Sequence, residues 1–132
     1  MRHLTLGEIL AFHDYQIERF GGKHGIINPQ LVESSVFRPR TVLYDADLYP
    51  SVFDKAAVLA MSIIQFHPFV DGNKRTGIYS AIIFLELNGF EVYTSKSRLV
   101  NLANKILNKK INLEGVSKVL KSFSVSLSDK VI

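Results

Sequence analysis

Apolar residues along the chain fall into segments of helical period, set apart by short polar, glycine and proline breaks. Leu6, Ile9, Leu10, Phe12 and Ile17 share one broad helix face. Thr5 and Glu8 stand at capping-box spacing, in which each side chain satisfies a free backbone N–H of the first turn, so a helix is predicted to begin at Thr5. Gly21-Gly22 ends it, because glycine takes the left-handed stop conformation without a steric penalty. Asn28-Pro29 reads as an N-cap followed by a first-turn proline and predicts a short second helix to about Phe37. Over Arg38–Pro50 the period fails. Pro39 and Pro50 punctuate the stretch and Thr41–Tyr44 has strand-like composition, which predicts a loop or hairpin flap.

Two strongly apolar helices follow. Ser51 caps the first, which runs to about Phe66; the second spans Asn73 to Asn88, with Gly89 as its stop. Ala56–Ile64 and Ile78–Leu87 are apolar on nearly every side, so both helices are expected in the interior. Two weaker helices are predicted near Ser97–Asn108 and Leu113–Phe123. The tail Ser124–Ile132 has no period and is expected to fray. The fold class is therefore all-α: a bundle of about six helices with a flap around residues 38–50.

Composition narrows the field without deciding function. The chain has 132 residues, no internal repeat and no linker, and is expected to form one domain over 1–132. It holds no cysteine, which excludes a disulfide framework, a zinc–cysteine site and a cysteine nucleophile. The N-terminus lacks the apolar run of a signal peptide, and the most apolar run, Ala56–Phe66, is too short to span a bilayer, so a cytoplasmic location is expected. The net charge of +4 mildly favours anionic partners.

The chemistry concentrates between the two apolar helices, in His67-Pro68-Phe69-Val70-Asp71-Gly72-Asn73-Lys74-Arg75-Thr76. Gly72 lets the backbone turn tightly and approach a ligand. Asn73 starts the next helix, whose free first-turn N–H groups and dipole favour a phosphate. Lys74 and Arg75 are poorly placed at a helix N-terminus unless an anion offsets them. An imidazole titrates near neutrality, so His67 can take a proton from an attacking hydroxyl. Asp71 is a hard oxygen ligand suited to magnesium shared with phosphate oxygens, and Arg75 can hold phosphate through a bidentate fork. These are the parts that phosphoryl transfer requires.

The segment HPFVDGNKRT resembles the signature of the Fic family: His-Pro-Phe, any residue, Asp or Glu, Gly, Asn, Gly or Lys, then Arg. The opening MRHLTLGEIL-AFHDYQIERFGG, Lys74 and the helix ending LELNGFEV resemble its death-on-curing (Doc) toxin branch, with the likeness covering roughly residues 1–123. The resemblance implies the Fic fold, with His67 as catalytic base, Asp71 as the magnesium-associated acid and Gly72, Asn73, Lys74 and Arg75 as the nucleotide-phosphate set. Adenylyl-transferring members carry glycine in place of Lys74 and a second arginine in place of Ile78. This chain departs from that pattern at both positions. In Doc-like members the nucleotide is thought to lie reversed. The resemblance then implies ATP as phosphoryl donor, Mg2+ as metal, and a protein target hydroxyl on the elongation factor that delivers aminoacyl-tRNA. It also places a target-docking flap at Arg38–Pro50.

Blander readings exist for several of these residues. Lys74 and Arg75 could be a solvated helix face, and Asp71 could serve only as a helix cap, a role it is expected to have in any case. His13-Asp14 matches the dipeptide of metal phosphohydrolases, but His3 and His24 do not supply further ligands, so helix-surface positions are expected. Tyr79 and Phe84 are expected in the core, and Lys105, Lys109 and Lys110 on a solvated face. Two other functions compete: adenylyl transfer on the same fold, and a non-catalytic module that binds nucleic acid or protein. A toxin needs an inhibitor. Autoinhibited Fic proteins carry Ser or Thr, three residues, then Glu-Gly or Glu-Asn. Here Glu114-Gly115 has Lys110 where Ser or Thr is needed, so inhibition by a separate antitoxin is expected.

Overall fold

The computed structural model describes residues 1–130. Six α-helices make up most of the described chain: α1 (Leu6–Phe20), α2 (Pro29–Phe37), α3 (Val52–Phe66), α4 (Asn73–Leu87), α5 (Lys96–Leu107) and α6 (Leu113–Phe123). The all-α expectation, the Fic-type helical bundle and the hairpin all hold.

Local chemistry sets most of the boundaries. The Thr5 hydroxyl accepts from the Glu8 N–H while the Glu8 carboxylate accepts from the Thr5 N–H, completing the capping box of α1. The Asn28 side chain caps α2 ahead of Pro29, and Ser51 caps α3. Ser95 and Asn112 do the same for α5 and α6. Helix α3 lies at the centre and packs against α2, α4, α5 and α6. Ala56, Ala57, Ala60, Ile63 and Ile64 on α3 are wholly shielded from solvent. The close approach of α4 depends on Gly77, where an added Cβ would sit 3.0 Å from the Ala60 carbonyl oxygen and 2.8 Å from Ile64.

Two small antiparallel pairs decorate the bundle. Between α2 and α3, a 3-10 turn at Arg38–Arg40 leads into β1 (Val42–Leu43) and β2 (Ala46–Asp47), joined through Tyr44 and Asp45 at positive φ. That left-handed two-residue turn matches the right-handed strand twist. Beyond α4, β3 (Phe90–Val92) pairs with β4 (Ser124–Ser126). The frayed tail expected from Ser124 onward is thus a strand over 124–126 and a 3-10 turn over Leu127–Lys130. Its order comes from a partner some thirty residues upstream, to which periodicity is blind. Residues 131 and 132 of that tail lie outside the described residues. Among the described residues no helix is long and apolar enough to cross a membrane.

Candidate functional site

Helices α3 and α4 are joined by a six-residue bend, His67–Gly72. His67 closes α3 in the left-handed region, at φ 55° and ψ 52°, with its N–H on the Ile63 carbonyl. For a residue with a Cβ this conformation costs on the order of 1–2 kcal/mol, and the following Pro68 restricts it further. Surrounding contacts hold the bend in place. The Ile27 and Asn28 N–H groups donate to the Pro68 carbonyl at 2.7 and 3.2 Å, and the Val70 N–H donates to Gly25 at 3.0 Å. Ile26 and Phe69 form a single antiparallel bridge.

The buried Asn73 side chain locks the interior of the bend. Its Oδ1 accepts from the Phe69 N–H at 3.0 Å and its Nδ2 donates to the Phe69 carbonyl at 2.9 Å. That amide is therefore committed to the protein, and what Asn73 can offer an anion is its backbone N–H. The N-cap of α4 is Gly72, at φ 78°, and no side chain caps this helix. Asp71, expected to cap α4, instead accepts from the Gly72 N–H at 3.0 Å and the Lys23 N–H at 3.2 Å. The reason is positional: Asp71 precedes the N-cap, so its short side chain meets the cap residue's own amide rather than the first turn. The first intrahelical bond runs from Thr76 N–H to the Gly72 carbonyl. The N–H groups of Asn73, Lys74 and Arg75 precede it and are the orphan donors of a helix start.

These donors face a cleft of about 220 Å³ lined by His67, Asp71, Gly72, Asn73, Lys74 and Arg75. All six site residues named from the sequence thus share one cavity. Its volume is below the roughly 300–1,000 Å³ of pockets that engulf a whole small ligand; it suits a phosphate chain whose remainder extends outside. An added Cβ at Gly72 would approach Ile17 Cδ1 to 3.0 Å. His67 is exposed, and its imidazole has no hydrogen-bond partner among the described residues.

Charge in the cleft is arranged by neighbours. The Lys23 and Gly72 N–H groups hold the Asp71 carboxyl below the usual carboxylate range, so it stays ionised. Each carboxylate oxygen accepts one of these bonds and keeps lone pairs for a cation. No cluster of three or more His, Cys, Asp or Glu suitable for a metal occurs among the described residues. A lone ionised carboxylate beside an anion site fits magnesium, which takes one or two carboxylates and completes its shell with phosphate and water oxygens. Lys74 is exposed and donates to Asn104 Oδ1 on α5 at 3.2 Å. Arg75 donates to the Gly21 carbonyl at 2.9 Å and the Gln16 carbonyl at 3.4 Å. It thereby braces the C-terminal end of α1, and its remaining N–H groups are available to the cleft.

One supporting residue escaped the sequence reading. His13 is expected on the helix surface but is only 3% exposed. Its ring stacks on Phe69 at 3.8 Å, and Nε2 donates to the Asp71 carbonyl at 2.8 Å. The signal was available: Ile9, His13 and Ile17 are four apart, so His13 lies within the stripe that α1 buries.

A family model described as the Fic/DOC family matches residues 3–85. The chain is 33% identical over 109 residues to Toxin Doc of Mycolicibacterium smegmatis (strain ATCC 700084 / mc(2)155), covering 81% of this chain and 84% of that one. It is 32% identical over 122 residues to Protein kinase doc of Escherichia phage P1, covering 92% and 94%.

Proposed function

The chain belongs to the Fic/DOC family, and from that premise we propose that it is the toxin of a toxin–antitoxin pair, a transferase that moves a phosphoryl group from ATP to a Ser or Thr hydroxyl of a target protein. The observation that carries this reading is the uncapped N-terminus of α4, opening on a cleft shared with an unpartnered imidazole and an ionised carboxylate.

Each group then has a task. The N–H groups of Asn73, Lys74 and Arg75 hold the phosphate chain, and the two side-chain cations offset its charge. Asp71 would hold magnesium, which would supply further charge neutralisation at the phosphates. His67 accepts the proton of the target hydroxyl as its oxygen bonds to the terminal phosphorus. The bond from that phosphorus to its bridging oxygen breaks, and ADP leaves. The left-handed backbone at His67 turns the chain at the cleft edge and so places the imidazole beside the phosphate site.

Lys74 and Ile78 favour phosphoryl over adenylyl transfer. Lys74 occupies space that adenylyl-transferring members leave to a diphosphate, and Ile78, 7% exposed, presents no donor to a second phosphate. The exposed β1–β2 hairpin serves as the flap on which extended target backbone docks by strand addition. The elongation factor that delivers aminoacyl-tRNA is the target this reading names, with arrest of protein synthesis in the cytoplasm as the outcome. Inhibition comes from a separate antitoxin whose flexible segment folds on the toxin. Glu114, the nearest approach to an internal inhibitory glutamate, pairs with Lys118 at 3.1 Å on α6 and does not line the cleft.

ATP labelled at the alpha or the gamma phosphate tests the reaction. Label is expected on the elongation factor from the gamma position alone, and none with His67→Ala. Transfer from the alpha position would replace the kinase reading with adenylylation, which predicts a protein mass increase of one AMP.

A further inference from the structure

Lys55 is the only lysine or arginine buried among the described residues, at 4% exposure, and the chemistry above makes no use of it. It sits in the first turn of α3, beneath the hairpin. Burying an ammonium is unfavourable by several kcal/mol unless its donors are all met. Here they are. The Nζ donates to the Pro39 carbonyl at 3.4 Å, to Asp47 Oδ2 at 3.2 Å and to the Tyr49 carbonyl. An ammonium has three protons, and three acceptors receive them.

The placement of those acceptors carries the inference. Pro39 precedes β1, Asp47 ends β2 and Tyr49 follows it, so one cation ties both legs of the hairpin to the central helix. Pro39 and Tyr49 are buried at its feet, but the hairpin's own strands do little to order it. Its strands are two residues each, and one bond beyond them, from Leu48 N–H to the Thr41 carbonyl at 2.9 Å, closes the base. Val42 and Leu43 are more than half exposed and Tyr44 at the tip is 94% exposed. A lone two-stranded hairpin is marginal in water.

We infer that Lys55 is a positioning residue for target docking: its ammonium fixes the hairpin edge in place relative to the cleft. The inference rests on the reading that the hairpin receives the target. Losing the cation leaves two main-chain carbonyls and Asp47 without their buried donor, and the hairpin opens to hydrate them. A residue that served only general stability would act through the folded fraction, lowering the apparent kcat or weakening ATP and target binding alike. Lys55 affects target binding selectively.

Lys55→Met keeps the stem and removes the charge. Asp47→Asn weakens the same tie from the solvent side, where folding is not at stake, the Asp47 side chain being 52% exposed. Hydrogen exchange of the full chain is the first readout. The Leu48 amide and the β1–β2 amides are expected to exchange about tenfold faster in Lys55→Met and severalfold faster in Asp47→Asn, with α3 and α4 protected as in wild type. Phosphoryl transfer to purified elongation factor is the second. Its KM should rise about tenfold in Lys55→Met while the ATP dissociation constant stays within about twofold. Unchanged hairpin exchange in both variants overturns the inference. So does faster exchange with an unchanged KM, since the hairpin would then be free yet irrelevant. If Lys55→Met fails to fold, Asp47→Asn decides by the same two readouts. If wild type transfers nothing to the factor, the proposed target falls, and hairpin exchange alone decides whether Lys55 holds the flap.

Discussion

Helices α1 and α4 are both 15 residues long, and they begin in opposite ways. At the start of α1, the Thr5 hydroxyl takes the Glu8 amide, the Glu8 carboxylate takes the Thr5 amide, and that carboxylate opposes the dipole. At the start of α4, glycine caps, no acid stands in the first turn, and Lys74 and Arg75 add positive charge to the positive end of the dipole. The first arrangement completes a helix. The second leaves amides and positive charge together at an open cleft, an arrangement that favours an anion, and the same bend is meanwhile clamped by Asn73, His13 and the backbone of residues 25–28. Tight support around an unsatisfied centre is the difference between a binding site and a poorly made helix.

Making α4 resemble α1 should have the largest effect. Lys74→Glu puts an acid in the first turn, which favours the free helix by about 0.3–1 kcal/mol. Calorimetry is expected to show ATP affinity falling by at least about tenfold while the apo melting temperature holds or rises, since a like charge now opposes the phosphates. Damaging α1 should do the reverse at smaller scale. Thr5→Ala removes one cap and is expected to lower unfolding stability by about 1 kcal/mol, with ATP affinity unchanged. Urea titration and nucleotide binding on the same preparation check both halves.

The smallest effect concerns pH. Bonds from Lys23 and Gly72 N–H groups depress the Asp71 carboxyl in the folded state relative to the unfolded chain. Its contribution to stability is therefore complete above the unfolded value, about 4, and is lost as pH falls through the lower folded value. The stability difference between wild type and Asp71→Asn should be constant from neutral pH to about 5 and shrink toward zero below about 4. A difference that grew on acidification would mean that these bonds favour the protonated carboxyl.

What could be read from the sequence follows the range of each interaction. The Thr5–Glu8 box, Asn28-Pro29 and Ser51 act within four residues, and all stand where the pattern puts them. The residues from His67 to Arg75 are contiguous, so their shared cleft was legible too. Partnerships across the fold were not. Arg75 meets Gln16 and Gly21 more than fifty positions away, and β4 finds β3 across two helices. The burial of Lys55 has no local signal either, because nothing in its neighbourhood reveals that Pro39 and Tyr49 turn their carbonyls toward it. His13 lay between these cases: its spacing from Ile9 and Ile17 marked it as interior, but its residue type suggested the surface.

The central helix carries the hairpin anchor in its first turn and the imidazole at its last, so it works as a ruler between them. Twelve residues of α-helix separate Lys55 from His67, roughly 18 Å along an axis that packing on four sides keeps from bending. On the proposed reading, a polypeptide laid on the hairpin would carry its reactive hydroxyl at about that span. Acceptor choice on the proposed reading is then a matter of gauge length as much as of local motif, and rigid tertiary shape in the acceptor becomes part of its recognition.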